Sequence, residues 1–212
     1  CFRLDIDARV GRDQTVQGSI TAGIERDQLE QAGIAVDEDD PSAALSQVFN
    51  LEAFDSIEDS DEVDVQVDEF VDDEQVGVTM TFDDLTMRQF VELVVGSQAA
   101  DGTSTEERYV FERDGDLYRF EVGPDEQEAA YAQQLGDQLD FRLALTFPGD
   151  IVDTDGEVDN RTVAWTSYED VANGVSVTSV VPTGSSATER IWTGAGLAIV
   201  LVVAAGCAFA WR

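Results

Sequence analysis

The chain has 212 residues, of which 45 are acidic and 12 basic, so its formal net charge is −33. All basic residues are arginine, and the lack of histidine excludes Ser-His-Asp and Cys-His catalytic sites and histidine-ligated metals. This charge also excludes nucleic acid as a partner and is typical of high-salt proteomes, so we expect an extreme halophile of archaeal type as the source.

The first half of the chain predicts two strand pairs separated by helices. Apolar and polar residues alternate over 2–10 and again over 16–24, which is the pattern of a hairpin with one buried face. Asp83 or Asp84 is expected to cap a short helix that runs through Val94. The other predicted elements are helices over 27–35 and 42–54 and strands over 63–70 and 76–82.

The second half predicts another hairpin, a helix and three more strands. A loop over 96–106 precedes two alternating runs that flank Asp114-Gly115, a strong hairpin signal. The four-residue spacing of Tyr131, Leu135 and Leu139 predicts a helix over 124–139. The last predicted strands cover 141–147, 163–165 and 175–181. The fold class is therefore α+β: a curved, mostly antiparallel sheet of about eight strands packed on two or three helices.

An apolar segment and the first cysteine both predict attachment to a membrane. Residues 191–211 are uncharged and apolar, and as a helix they would span ~31 Å, about the thickness of a bilayer core. Cys1 is the expected lipid acceptor after cleavage of a signal peptide. Arg212 follows the positive-inside tendency, so we expect the C-terminus in the cytoplasm. The predicted layout is an extracellular domain over 1–181, a linker over 182–190 and a transmembrane helix over 191–212.

Candidate polar sites are few. A glycosylation sequon begins at Asn160 and would be usable on an exported domain. Asp153, Asp155 and Glu157 alternate around a glycine and could hold Ca²⁺, or could flank a hairpin turn on an acidic surface. A hydrolase could use a carboxylate pair, but nothing singles out one pair among 45 acidic residues. We expect no cofactor.

Several motifs together resemble the LppM family of envelope lipoproteins. They are 1–4 (CFRL), 79–90 (TMTFDDLTMRQF), 145–149 (LTFPG), 154–156 (TDG), 163–165 (VAW) and the terminal apolar segment. The resemblance implies a lipidated external domain with a curved antiparallel sheet against helices. It also implies binding of lipid-like molecules rather than catalysis.

A curved sheet that faces a helix can leave a slot for an apolar ligand. The candidate pocket residues, which could equally form the core, are Phe82, Leu85, Phe90, Tyr131, Leu135, Phe141 and Trp165. The sequence thus predicts a non-enzymatic lipoprotein that binds membrane lipids or another amphiphile at the outer membrane face. The alternative is an accessory subunit of a membrane protein complex, and a carboxylate-dependent hydrolase is a more distant one.

Overall fold

The described part of the protein contains two β-sheets and a few short helices. A computed structural model describes residues 2–36, 41–45, 64–72, 74–95 and 108–181. The strands are β1 Phe2–Val10, β2 Thr15–Glu25, β3 Asp64–Val71, β4 Gln75–Thr86, β5 Tyr109–Asp114, β6 Leu117–Val122, β7 Leu139–Thr146, β8 Asp150–Thr154, β9 Glu157–Asp159, β10 Thr162–Trp165 and β11 Val175–Val180. The helices are α1 Arg26–Gln31, α2 Ser42–Leu45, α3 Met87–Val95, α4 Glu126–Leu135 and α5 Tyr168–Ala172, with a 3₁₀ turn at Gly136–Gln138.

The strands divide into a larger and a smaller sheet. The larger sheet has seven strands in the order β3-β4-β2-β1-β7-β10-β9, and the smaller has four in the order β5-β6-β11-β8. Within these sheets β1 pairs with β7 in parallel, and the other described pairs are antiparallel. The fold is therefore α+β, and the larger sheet is mixed. The predicted single sheet is wrong, because the strands form two separate sheets.

The predicted hairpins are confirmed. In β1 the buried residues Ile6, Ala8 and Val10 alternate with exposed charged ones, as expected for a strand with one face on the core. The β5–β6 turn uses Gly115 at φ +59°, a conformation that glycine adopts without strain. Both hairpins form between neighbouring segments, so local patterning was enough to predict them.

The predicted capping of the helix after β4 by Asp83 or Asp84 is wrong. β4 continues through Thr86, and α3 begins at Met87. The hydroxyl of Thr86 accepts a hydrogen bond from the Gln89 N–H at 3.2 Å, while Gln89 Oε1 accepts one from the Thr86 N–H at 2.9 Å. This reciprocal pair is a capping box, and it starts the helix after the two aspartates.

Other element predictions differ in extent. The helix predicted over 27–35 is the shorter α1, and the helix predicted over 124–139 ends at Leu135 before the 3₁₀ turn. β8, β9 and α5 were not predicted. The predicted helix beyond residue 45, the loop over 96–106, Cys1 and the segment 182–212 lie outside the described residues. Within the described ranges, no helix has the length and apolarity needed to cross a membrane.

Aromatic rings connect the two sheets through one core. Phe82 of β4 meets Phe90 of α3 with ring centroids 5.7 Å apart, and Phe90 meets Phe111 of β5 at 5.9 Å. The series continues across the smaller sheet through Phe120 and returns to the larger sheet at Trp165, with centroid distances of 5.3 and 6.1 Å. Helix α3 therefore lies between the sheets at the end of the domain where β4 finishes.

Candidate functional site

Five of the seven predicted pocket residues belong to this packed core. None of them is more than 4% exposed, and their rings and side chains contact one another or the core around them. These residues are Phe82, Leu85, Phe90, Phe141 and Trp165. The structure therefore places them where they hold the sheets together, and their role as a ligand pocket stays a prediction.

The other two predicted residues, Tyr131 and Leu135, are half-buried on α4. They follow Glu128 by three and seven positions, so the three share one helix face. Glu128 accepts a hydrogen bond of 2.5 Å from the hydroxyl of Tyr168, whose ring lies 5.4 Å from that of Phe141 in β7. This face of α4 is thus directed towards the beginning of β7.

Half-buried apolar residues also lie on the larger sheet where β1 and β7 begin. Phe2 pairs with Leu139 across the parallel β1–β7 contact, and Leu4 pairs with Phe141. Phe2, Leu4 and Leu139 all pack against the core without being fully buried. We use the term apolar seam for the residues Phe2, Leu4, Tyr131, Leu135 and Leu139. The sequence predicted the α4 half of the seam, whereas the sheet half depends on the parallel β1–β7 pairing.

A partly buried polar cluster holds the start of α4. Arg108 forms ion pairs with Glu128 and, at 3.4 Å, with Asp125, and its Nε donates to the Gly123 carbonyl at 2.9 Å. Its Nη2 is buried and has no hydrogen-bond partner in the described part of the chain. Burial, together with the hydrogen bond to Glu128, raises the pKa of Tyr168, and burial raises the pKa of Tyr109 to about 12. Both phenols therefore stay protonated to a higher pH than a free tyrosine does.

The three candidate calcium ligands, Asp153, Asp155 and Glu157, do not form one site. Asp155 accepts hydrogen bonds from Trp165 Nε1 at 2.8 Å and from the Ser176 N–H at 3.1 Å. Asp153 and Glu157, like Asp155, are exposed. In the ranges that the structure describes, no three His, Cys, Asp or Glu side chains are grouped so that they could hold a metal ion. The turn is thus built around a carboxylate that links β8–β9 to β10 and β11.

Asn160 lies in the exposed turn between β9 and β10. Its φ is 55°, and its side-chain amide donates to Asp159 Oδ1 at 2.9 Å. The exposed position is open to a modifying enzyme, and glycosylation stays a prediction.

A shallow polar depression lies on the outer face of the larger sheet. Its volume is about 370 Å³, and its lining residues are Asp7, Arg9, Gln17, Gly18, Thr81, Phe82 and Asp83. The carboxylate of Asp7 also accepts from Arg142 at 3.3 Å. Because five of the seven lining residues are polar or charged, this depression does not suit an acyl chain.

Comparison with known proteins identifies the family. A family profile described as the LppM domain matches residues 3–180. A similar solved structure is the NMR structure of the folded domain of the LppM protein from Mycobacterium tuberculosis, with a TM-score of 0.52 and 22% sequence identity. The match covers 87% of this chain and 94% of that chain, and at this identity it supports the fold alone. No curated protein matches the chain.

Proposed function

The chain belongs to the LppM family, and from this premise we propose that it is a membrane-anchored, non-catalytic envelope lipoprotein that binds a lipid or another amphiphile. The site would be the apolar seam rather than the packed space between the sheets. The anchors would be the apolar segment 191–211 and a lipid on Cys1, both of which are predictions from the sequence. The accessory-subunit and hydrolase alternatives stay predictions.

The observation that carries the proposal is the contrast in burial along the larger sheet. Near the end of β4 and in the middle of the sheet, aromatic rings fill the core, and Phe82 and Trp165 are 1% and 4% exposed. Where β1 and β7 begin, Phe2, Leu4 and Leu139 are only half-buried, while Phe141 is buried. An acyl chain laid along the seam would remove this remaining apolar surface from water, which is favourable by ~25 cal/mol per Å².

The neighbouring polar cluster supports an amphiphile over a purely apolar ligand. The hydrogen bond between Tyr168 and Glu128 connects the cluster to the face of α4 that carries Tyr131 and Leu135. Arg108 Nη2 is a donor without a partner among the described residues. A ligand with an acyl chain and an oxygen-rich head group would match both features.

Native mass spectrometry of the detergent-extracted full chain tests the proposal. We expect bound lipid in the wild type, and Leu135→Asn should lower its occupancy by about tenfold because part of a ~1.5–3 kcal/mol apolar contact is lost. Gln134→Asn is the matched control, since Gln134 directly precedes Leu135 on α4 and is exposed. Consistent absence of lipid from the wild type, or equal loss in both variants, would contradict the proposal.

A further inference from the structure

The chain leaves the domain beside two turns. The Val181 N–H, directly after β11, donates to the Asp116 carbonyl in the β5–β6 turn at 2.8 Å. That turn contacts the β1–β2 turn, because Arg113 Nη1 and the Tyr118 hydroxyl both donate to the Arg12 carbonyl at 3.3 Å. We call residues 11–14, 113–117 and 181 the exit tip.

The exit tip is separated from the apolar segment by a short linker. Residues 182–190 connect Val181 to the predicted membrane-spanning segment 191–211. Fully extended, this linker reaches about 30 Å, and as a flexible coil it averages about 17 Å. This step rests on the proposed function, because it takes 191–211 as the membrane anchor. On that basis the linker keeps the exit tip within about 30 Å of the bilayer surface.

The side chains of the exit tip suit a bilayer surface. Leu117 is 44% exposed, one of three large hydrophobic residues that are exposed in the described part of the chain. Arg12 is exposed, and the Arg113 guanidinium lies over the Tyr118 ring, 5.3 Å from its centroid. Long arginine side chains can extend their charge to lipid phosphates while their stems stay at the apolar boundary.

The charge balance at the exit tip also differs from that of the whole chain. Two arginines, Arg12 and Arg113, stand beside three aspartates, whereas the chain as a whole has 12 basic and 45 acidic residues. The Asp13 carboxylate accepts hydrogen bonds from the N–H and the hydroxyl of Thr15, which hold it within the β1–β2 turn. The exit tip is therefore repelled less by lipid phosphates than the rest of the surface.

We propose that the exit tip is a docking surface for the lipid bilayer. Leu117 inserts at the level of the head groups, and Arg12 and Arg113 contact phosphate oxygens. The contact orients the domain, so that the apolar seam at the opposite end of β1 is turned away from the C-terminal anchor.

Photo-crosslinking to lipid tests the docking surface. The full chain is reconstituted at high KCl in phosphatidylglycerol–phosphatidylcholine nanodiscs that contain a phospholipid with a diazirine near its head group. Cleavage after arginine separates peptide 114–119, which contains Leu117, from peptide 120–142, which contains the far end of α4 and the start of β7. We expect lipid adducts on 114–119, and Leu117→Ser should lower them severalfold. Adducts on 120–142, where a lipid bound at the apolar seam would also react, should not change in this variant.

Val158→Ser is the matched control, because Val158 is 52% exposed but lies on β9, at the edge of the larger sheet. It should leave the adducts on 114–119 unchanged. Absence of adducts on 114–119, or no loss of them in Leu117→Ser, in chains that co-elute with nanodiscs, would overturn the docking surface and leave the proposed function standing. Failure of the chain to enter nanodiscs would overturn the membrane anchor, and the docking surface with it.

Discussion

At the scale of single residues, the motifs behind the family resemblance prove to be packing devices. A Cβ on Gly149 would lie 2.3 Å from the Val180 carbonyl oxygen, so only glycine lets the chain after β7 pass this close to β11. A Cβ on Gly156 would lie 2.8 Å from the Trp165 ring. The sequence predicted a turn at residues 154–156, but the partners of Asp155 at Trp165 and Ser176 depend on the folded sheets and could not be predicted from local pattern.

The first prediction concerns Asp155. Asp155→Ala would remove the acceptor of the Trp165 indole and of the Ser176 N–H, and we expect the free energy of unfolding to fall by about 1–3 kcal/mol. Urea unfolding at constant high KCl measures the loss. Asp153→Ala is the matched control two positions away. Asp153 is equally exposed, but its carboxylate accepts no hydrogen bond from the described residues, so the change should alter stability by less than about 0.5 kcal/mol. Equal losses in the two variants would show that Asp155 acts only as surface charge.

At the scale of elements, the sequence predicted what adjacent residues decide. The hairpins β1–β2, β3–β4 and β5–β6 pair neighbouring segments, and each agrees with the predicted alternation. β8 and β9 were not predicted because their residues are largely exposed and do not alternate between buried and exposed positions. The parallel pairing of β1 with β7 joins segments far apart in the chain, so only the fold reveals it.

The second prediction concerns the start of α4. The Asp125 carboxylate accepts from the N–H groups of Gln127 and Glu128, so Asp125→Ala should lower the free energy of unfolding by about 0.5–2 kcal/mol at pH 7. The Glu128 N–H lowers the pKa of Asp125 in the folded protein. Its stabilisation is therefore complete above about pH 4, the ordinary range of the carboxyl, and is lost as the pH falls through the lowered pKa.

Chemical unfolding at a series of pH values measures this effect. The stability difference between wild type and Asp125→Ala should shrink towards zero in acid. Asp125→Asn keeps an acceptor for the helix N–H groups but removes the charge, so it should lose less stability at pH 7 than the alanine variant. A difference between wild type and Asp125→Ala that stays constant with pH would mean that the carboxylate charge does not contribute.

At the scale of the whole molecule, the two predicted anchors leave the domain at opposite ends of β1. β1 begins at Phe2, next to Cys1, and ends at Val10, next to the exit tip. At ~3.3 Å per residue the strand separates the two ends by about 26 Å. The sequence predicted both anchors but not their separation, which depends on the contact between the β1–β2 and β5–β6 turns. Two anchors in one bilayer, with a linker that averages about 17 Å, favour β1 lying along the membrane surface over an upright strand.

The last prediction follows from this geometry. Cys1→Ser should leave the chain in the membrane fraction, because the apolar segment 191–211 is predicted to hold it. Only the exit tip would then stay close to the bilayer. Head-group photo-crosslinking should therefore lose adducts on peptide 4–9 of β1 and keep those on peptide 114–119. Release of the variant into the soluble fraction would refute the C-terminal anchor, and unchanged adducts on 4–9 would show that a lipid on Cys1 does not set the orientation.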